Sequence, residues 1–217
     1  MSKIGNWFDT RITLPKSIGR SEDVLCSLIH ALGFGISLGA VIPLASEAAG
    51  SRREFWAALI YGASICSMFA VSAIYHGLPA SSAKRVLRFA DHSFIYVLIA
   101  GTYTPYASLM GDSGRPLLIT IWMLATFNVA FNILFWGRFE FFHFATYLCM
   151  GWLIVFFWKD LRAAVSLKQV YWMLTGGFFY TAGVFFYVKT SIPWAHLIWH
   201  FFVIAGAAGL HLGIALQ

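Results

Sequence analysis

The chain has 217 residues, of which 59% are hydrophobic and 11% charged, with nine Trp and 21 Phe. A water-soluble globular domain carries about twice that charged fraction, so the composition leaves a polytopic membrane protein as the class that fits. The formal net charge of +6 belongs to short loops, where it sets membrane orientation and contact with anionic lipid; it does not point to nucleic acid.

Residues 1–21 are polar and basic, with Lys3, Arg11, Lys16 and Arg20, and are expected to form a cytoplasmic N-terminal segment. The apolar run that follows, 24–45, is long enough to span a bilayer and longer than a signal-peptide core. Further spans are predicted at 55–78, 89–110, 116–136, 139–158, 170–188 and 194–216. Most approach the roughly 20 residues that a hydrocarbon core requires. The expected fold is therefore all-α: residues 22–217 form one domain of seven transmembrane helices, without a convincing internal repeat. Cys26, Cys66 and Cys149 fall within apolar runs and lack CxxC spacing, which suits small packing residues and implies no disulfide.

Loop charge gives the orientation. With seven spans, nine of the Lys and Arg residues lie on the side of the N-terminus and six on the other. The positive-inside rule then places the N-terminus in the cytoplasm and the C-terminus outside.

In such a serpentine the starts of odd spans and the ends of even spans share one membrane face. His76 and Ser72 close the second span, Asp91 and His92 open the third, and His196 and His200 open the seventh. His30 lies early in the first span and His143 opens the fifth, so six of the seven histidines gather in one leaflet and His211 stands apart. Ionisable groups inside a membrane are costly and mark function more often than packing. His196 and His200, four residues apart, are separated by about 40° and about 6 Å of rise on a helix, so both rings reach one point.

His76, His196 and His200 would supply three nitrogens to a zinc ion and leave a tetrahedral position for water, the pattern of a catalytic site. Ser72, one turn before His76, would hold that water or a ligand oxygen, or bond the carbonyl of residue 68. Asp91 is the acid near the cluster at helix depth and suits a general base; its structural alternative is an ion pair with Arg88 or Lys84. His92 points about 100° away from Asp91 and is assigned a supporting place. A Ser–His–Asp triad is disfavoured, because no nucleophile elbow is present. Asn128 and Asn132 suit an interhelical hydrogen-bonding pair, and Gly176, Gly177 and Gly183 suit close helix contacts.

Ser72-Ala73-Ile74-Tyr75-His76, Asp91-His92-Ser93 with the following Leu98-Ile99-Ala100-Gly101-Thr102-Tyr103-Thr104-Pro105, Met150-Gly151-Trp152-Leu153 and His196-Leu197-Ile198-Trp199-His200 closely resemble the bacterial haemolysin III family. That family is related to the progestin and adipoQ receptors and, more distantly, to alkaline ceramidases. The resemblance runs in order from Glu22-Asp23 and His30 to the end of the last span. It implies seven helices with a cytoplasmic N-terminus, zinc on His76, His196 and His200, and Ser72 and Asp91 lining the same site. Three positions depart from the family: Cys26 stands where many relatives have asparagine, Asn132 where the bacterial branch is often basic, and His211 about one residue from the usual late histidine.

The expected function is a zinc-dependent hydrolase, a lipid amidase or esterase, in the bacterial inner membrane. Its partner would be a membrane lipid or lipid-like substrate reaching the site sideways, with a homo-oligomer left open. The alternatives are a receptor or regulator of membrane state with structural zinc, and a pore-forming haemolysin.

Overall fold

The computed structural model describes residues 19–136 and 140–216. The basic segment expected over 1–21 therefore falls almost wholly outside the described residues, as do Arg138 and Gln217. Among the described residues there are eight α-helices, three short 3-10 turns and no strand. They are α1 (Arg20–Glu47), α2 (Arg52–Gly77), α3 (Ser82–Leu109), α4 (Arg115–Leu134), α5 (Glu140–Gly151), α6 (Trp158–Ala164), α7 (Leu167–Val188) and α8 (Ala195–Ala215).

Among the described residues, five helical segments are long and apolar enough to cross a membrane: Arg20–Gly50, Arg52–Gly77, Gly111–Leu134, Phe142–Ala164 and Ala195–Ala215. Helices α3 and α7, with 28 and 22 residues, have the length but not the hydropathy. Lys84, Arg85, Arg88 and Asp91 crowd the start of α3, and Gly, Tyr and Thr dilute α7. The chain is thus an all-α, multi-pass integral membrane protein.

The span expected at 139–158 is not one continuous helix. Helix α5 ends at Gly151, a 3-10 turn covers Leu153–Phe157, and α6 resumes at Trp158. A break inside an apolar segment frees backbone polar groups, which must find partners within the protein. Tyr103 of α3 supplies them: its hydroxyl donates to the Gly151 carbonyl at 2.7 Å and accepts from the Ile154 amide at 3.1 Å.

The bundle is apolar outside and has an apolar core, within which α1 presents a largely polar stripe. On α1 the buried residues are Asp23, Cys26, His30, Gly33, Ser37 and Leu44, mostly at helical i, i+3, i+7 spacing. The opposite stripe exposes Leu28, Leu32, Ile36 and Ile42, each about 60% accessible. In water that polarity would be inverted; facing acyl chains, it is the stable arrangement.

Three helix starts are closed by side chains. Ser51 and Ser81 cap α2 and α3, and Ser166 with Gln169 forms a full capping box on α7. Helix α8 has no cap of its own: Trp194 precedes it with a left-handed φ of 60°. The Glu22 carboxylate of α1 accepts instead from the Leu197 amide at 3.1 Å, satisfying an orphan donor and placing negative charge at the positive end of the helix. Arg20 does the converse at the end of α2, donating to the Gly77 and Leu78 carbonyls at 3.1 and 3.3 Å.

Helix α8 packs against both α7 and α1, so the first and last helices are neighbours. The α7–α8 contact is backbone to backbone. A Cβ on Gly176 would lie 2.8 Å from the Gly206 carbonyl oxygen and 2.7 Å from the Leu210 side chain. Small residues admit such approach, and any side chain would push α8 and its histidines outward. Gly176→Ala is expected to destabilise the bundle by about 1–3 kcal/mol, the cost of overpacking. Thermal unfolding in detergent checks this; an unchanged midpoint would mean that the helices are not in close contact.

Candidate metal centre

The stripe of α1 that holds Asp23, Cys26 and His30 meets the end of α2 and the start of α8. Asp23 Oδ1 lies 2.9 Å from His76 Nδ1. A carboxylate paired with a cation only accepts, so the hydrogen is on Nδ1 and the Nε2 lone pair of His76 faces inward. His200 Nδ1 lies 2.7 Å from His30 Nε2. His76 and His200 then confront each other through Nε2 at 3.2 Å. Both rings are buried, at 0% and 4% exposure.

That spacing suits a shared ion. Two imidazoles on a tetrahedral zinc, with Zn–N of about 2.0–2.1 Å, hold their nitrogens about 3.3–3.4 Å apart. An outer partner on the far nitrogen of each ligand is the usual support of such a site, and Asp23 and His30 fill that place. Cys26 Sγ completes the group: it and one nitrogen each of His76 and His200 all lie within 4.8 Å of one another. Cys26 is 0% exposed. These three residues form a buried set able to bind a metal ion. His196 stands beside them, with ring centroids 5.2 Å from His76 and 4.6 Å from His200.

Ser72 and Asp91 have distinct surroundings. Ser64, Thr102 and Thr104 bond the carbonyl one turn back, the ordinary outlet for a hydroxyl in an apolar helix. Ser72 does not. It is 1% exposed and its hydroxyl has no partner, and a buried donor left so calls for an explanation. Asp91 is not the partner of Lys84, because Lys84 Nζ binds Asp23 Oδ2 at 2.8 Å and the Leu78 carbonyl at 3.0 Å. The Asp91 carboxylate lies 3.8 Å from its neighbour His92.

Of the other histidines, His92 donates through Nδ1 to the Arg88 carbonyl at 2.8 Å and meets the Tyr187 hydroxyl with Nε2 at 3.1 Å. His143 binds Tyr96 at 3.0 Å, and His211 approaches Tyr61 at 3.4 Å. Asn132 reaches across to Ser93, whereas Asn128 turns to its own helix and Met150.

A cavity of about 140 Å³ lies beside this centre. Its walls come from α3, α5, α7 and α8, including Leu98, Tyr147, Tyr180, Tyr187 and Trp199. Tyr187 ties it to the histidines, with its ring 6.0 Å from His196 and 5.3 Å from Trp199. The lining also includes Trp152 and Leu174, both exposed on the apolar outer surface.

A profile of the family described as Haemolysin-III related matches residues 19–211, from the first helix to the last. The chain belongs to the haemolysin-III related family. It is 36% identical over 193 residues to a hemolysin-3 homolog of Bacillus subtilis, covering 87% of this chain and 91% of that protein. It is 34% identical over 191 residues to hemolysin-3 of Bacillus cereus, covering 86% and 87%. The human monocyte to macrophage differentiation factor is 31% identical over 164 residues, covering 71% of this chain and 66% of that one. These matches bear out the resemblance to the haemolysin III family carried by the motifs.

Sequence reasoning placed His76, His196, His200 and Ser72 in this haemolysin-III-type core but assigned no partner to Asp23 and treated Cys26 as packing. Their spacing with His30, at i, i+3 and i+7, was the available signal. The Asp23–Lys84 pair is buried, both residues below 9% exposure. Asp23→Ala strands an ammonium and frees His76 Nδ1, and is expected to cost about 3–5 kcal/mol. Asp23→Ala with Lys84→Met should recover much of that loss in thermal unfolding. A single variant as stable as the parent would show the pair to be solvated.

Proposed function

We propose that this haemolysin-III related protein binds zinc through His76, His196 and His200 and hydrolyses an amide or ester bond in a lipid-like substrate within the bacterial inner membrane. The observation that carries this reading is the junction at Tyr187 and Trp199, where an apolar cavity with exposed residues in its lining abuts the buried histidines. An acyl chain lying in the cavity would bring its head towards the imidazoles. Zinc, when bound, supplies Lewis acidity and makes water acidic near neutral pH.

The chain's own residues divide the remaining work. Asp91, without an ion pair to Lys84, accepts the proton of the attacking water. Ser72, with no intrahelical partner, donates its hydrogen to an oxygen in the site. The apolar walls exclude bulk water from the acyl chain. A second reading, structural zinc in a receptor or regulator of membrane state, is favoured by the way the centre joins α1, α2 and α8.

Purified protein is expected to hold about one zinc per chain, and His76→Ala, His196→Ala or His200→Ala to remove most of it. Full occupancy in all three variants would eliminate the ligand set. Asp91→Asn then separates the two readings. Turnover of a lipid extract should fall by about 10²–10⁴-fold with zinc retained if Asp91 is the base. A variant that loses thermal stability alone fits the structural role.

The same reading includes seven membrane crossings, with α3 and α7 as spans, α5 and α6 together as one, and the N-terminus in the cytoplasm. Support comes from the basic excess of nine to six on the N-terminal side and from the lengths of α3 and α7. Single cysteines at Ser82 and Gln217 test it in intact cells, with Cys66 and Cys149 replaced and the buried Cys26 retained. An impermeant reagent should label position 217 and spare position 82. The reverse pattern would invert the orientation, and equal labelling would refute the odd number of crossings.

A further inference from the structure

On the inward stripe of α1, Asp23 and His30 are each engaged with one imidazole, and Cys26 stands between them. Asp23 holds His76 by Nδ1 and His30 holds His200 by Nδ1, at 2.9 and 2.7 Å. Those bonds turn both Nε2 atoms to a common point, 3.2 Å apart. The residue that α1 presents at this level is a cysteine with no exposed surface, its sulfur within 4.8 Å of one ring nitrogen each of His76 and His200.

A packing role asks only for small apolar volume, and alanine would serve it. Here instead the sulfur lies within 4.8 Å of a nitrogen of each of two buried imidazoles, with the unpartnered hydroxyl of Ser72 one turn before His76. In one tetrahedral zinc shell, bonds of about 2.3 Å to sulfur and 2.0–2.1 Å to nitrogen set S···N at about 3.5 Å. The remaining gap, about 1.3 Å at most, is within the reach of a cysteine χ1 adjustment.

We infer that Cys26 Sγ is a thiolate ligand of the metal held by His76 and His200, so that the site carries a sulfur donor contributed by the first helix. This rests on the metal-binding reading above and bears on hydrolysis: with His196 also bound, Cys26 closes a tetrahedral shell, and a reactive water then requires a fifth position. A set with thiolate and imidazole selects a borderline cation such as zinc or cobalt over the hard, oxygen-seeking magnesium and calcium. It also makes α1 part of the coordination shell instead of an outer support.

The full-length protein in detergent, loaded with Co(II) or Zn(II), provides the test. The cobalt form should show a thiolate-to-cobalt charge-transfer absorption in the near ultraviolet. That band should vanish in Cys26→Ser and persist in Cys66→Ser and Cys149→Ser. X-ray absorption of the zinc form should show one sulfur at about 2.3 Å beside nitrogens at about 2.0–2.1 Å. Zinc retention against a chelator should fall at least about tenfold in Cys26→Ser, the scale on which even outer partners matter. Metal bound by nitrogen and oxygen alone, with the cobalt spectrum unchanged in Cys26→Ser, would overturn the sulfur ligand and leave the histidine site standing. Wild-type protein that binds no metal would overturn both. Should Cys26→Ser fail to fold, the X-ray absorption of the wild type decides by itself.

Discussion

The bond from Asp23 to His76 is the constraint on which the centre depends. A carboxylate inside an apolar bundle needs compensating charge and donors, since desolvation alone would expel it. Lys84 of α3 provides the charge and His76 of α2 a second donor, at 2.8 and 2.9 Å. Three helices are therefore held in register at one carboxylate. The same bond settles the tautomer of His76, and with it the direction of the lone pair that faces His200. Without Asp23, the ring could exchange its nitrogens and the convergence of the two Nε2 atoms would no longer be imposed.

Buried polar groups in the rest of the bundle are mostly satisfied locally. Hydroxyls bond the carbonyl one turn back, and the break after α5 is closed by Tyr103. The exceptions include atoms of Ser108, Asn128 and Gln169, and four others fall at the centre or the cavity. The hydroxyl of Ser72 and Nδ1 of His30 lie on residues of the histidine centre, whereas the hydroxyls of Tyr106 and Tyr180 belong to residues that line the cavity. Unpaired polar groups in a dry interior are expensive, and those at the centre and on the cavity lining leave hydrogen-bonding capacity where a guest would meet it.

The sequence made the gathering of histidines legible because helix parity needs only the order of the spans. His76, His196 and His200 lie side by side, and His211 lies apart beside Tyr61. What parity lacks is rotation. Nothing in the order of spans says which stripe of α1 faces inward, so the roles of Asp23, Cys26 and His30 became visible only when the helix was placed against α2 and α8. Lys84 illustrates the same limit: its place seven residues before Asp91 offers it, like Arg88, as an ion-pair partner of that carboxylate, but its long side chain reaches Asp23 on another helix. The interruption after Gly151 also escaped, because hydropathy is indifferent to whether an apolar run is α-helical throughout.

The first turn of α1 draws these observations into one mechanical unit. Arg20 closes the carbonyl end of α2, Glu22 closes the amide end of α8, and Asp23 grips His76, all within four residues. Each charge has the sign that its helix end attracts: a guanidinium at a C-terminus and a carboxylate at an N-terminus. The two helices that carry His76 and His200 are thus positioned from the outside by the helix that also places Cys26 and His30 between them. A displacement of this turn by an ångström would alter both helix ends and the spacing of the nitrogens together. The geometry of the centre is therefore a property of the α1–α2–α8 junction and not of the HxxxH segment, even though that segment is what the eye finds first.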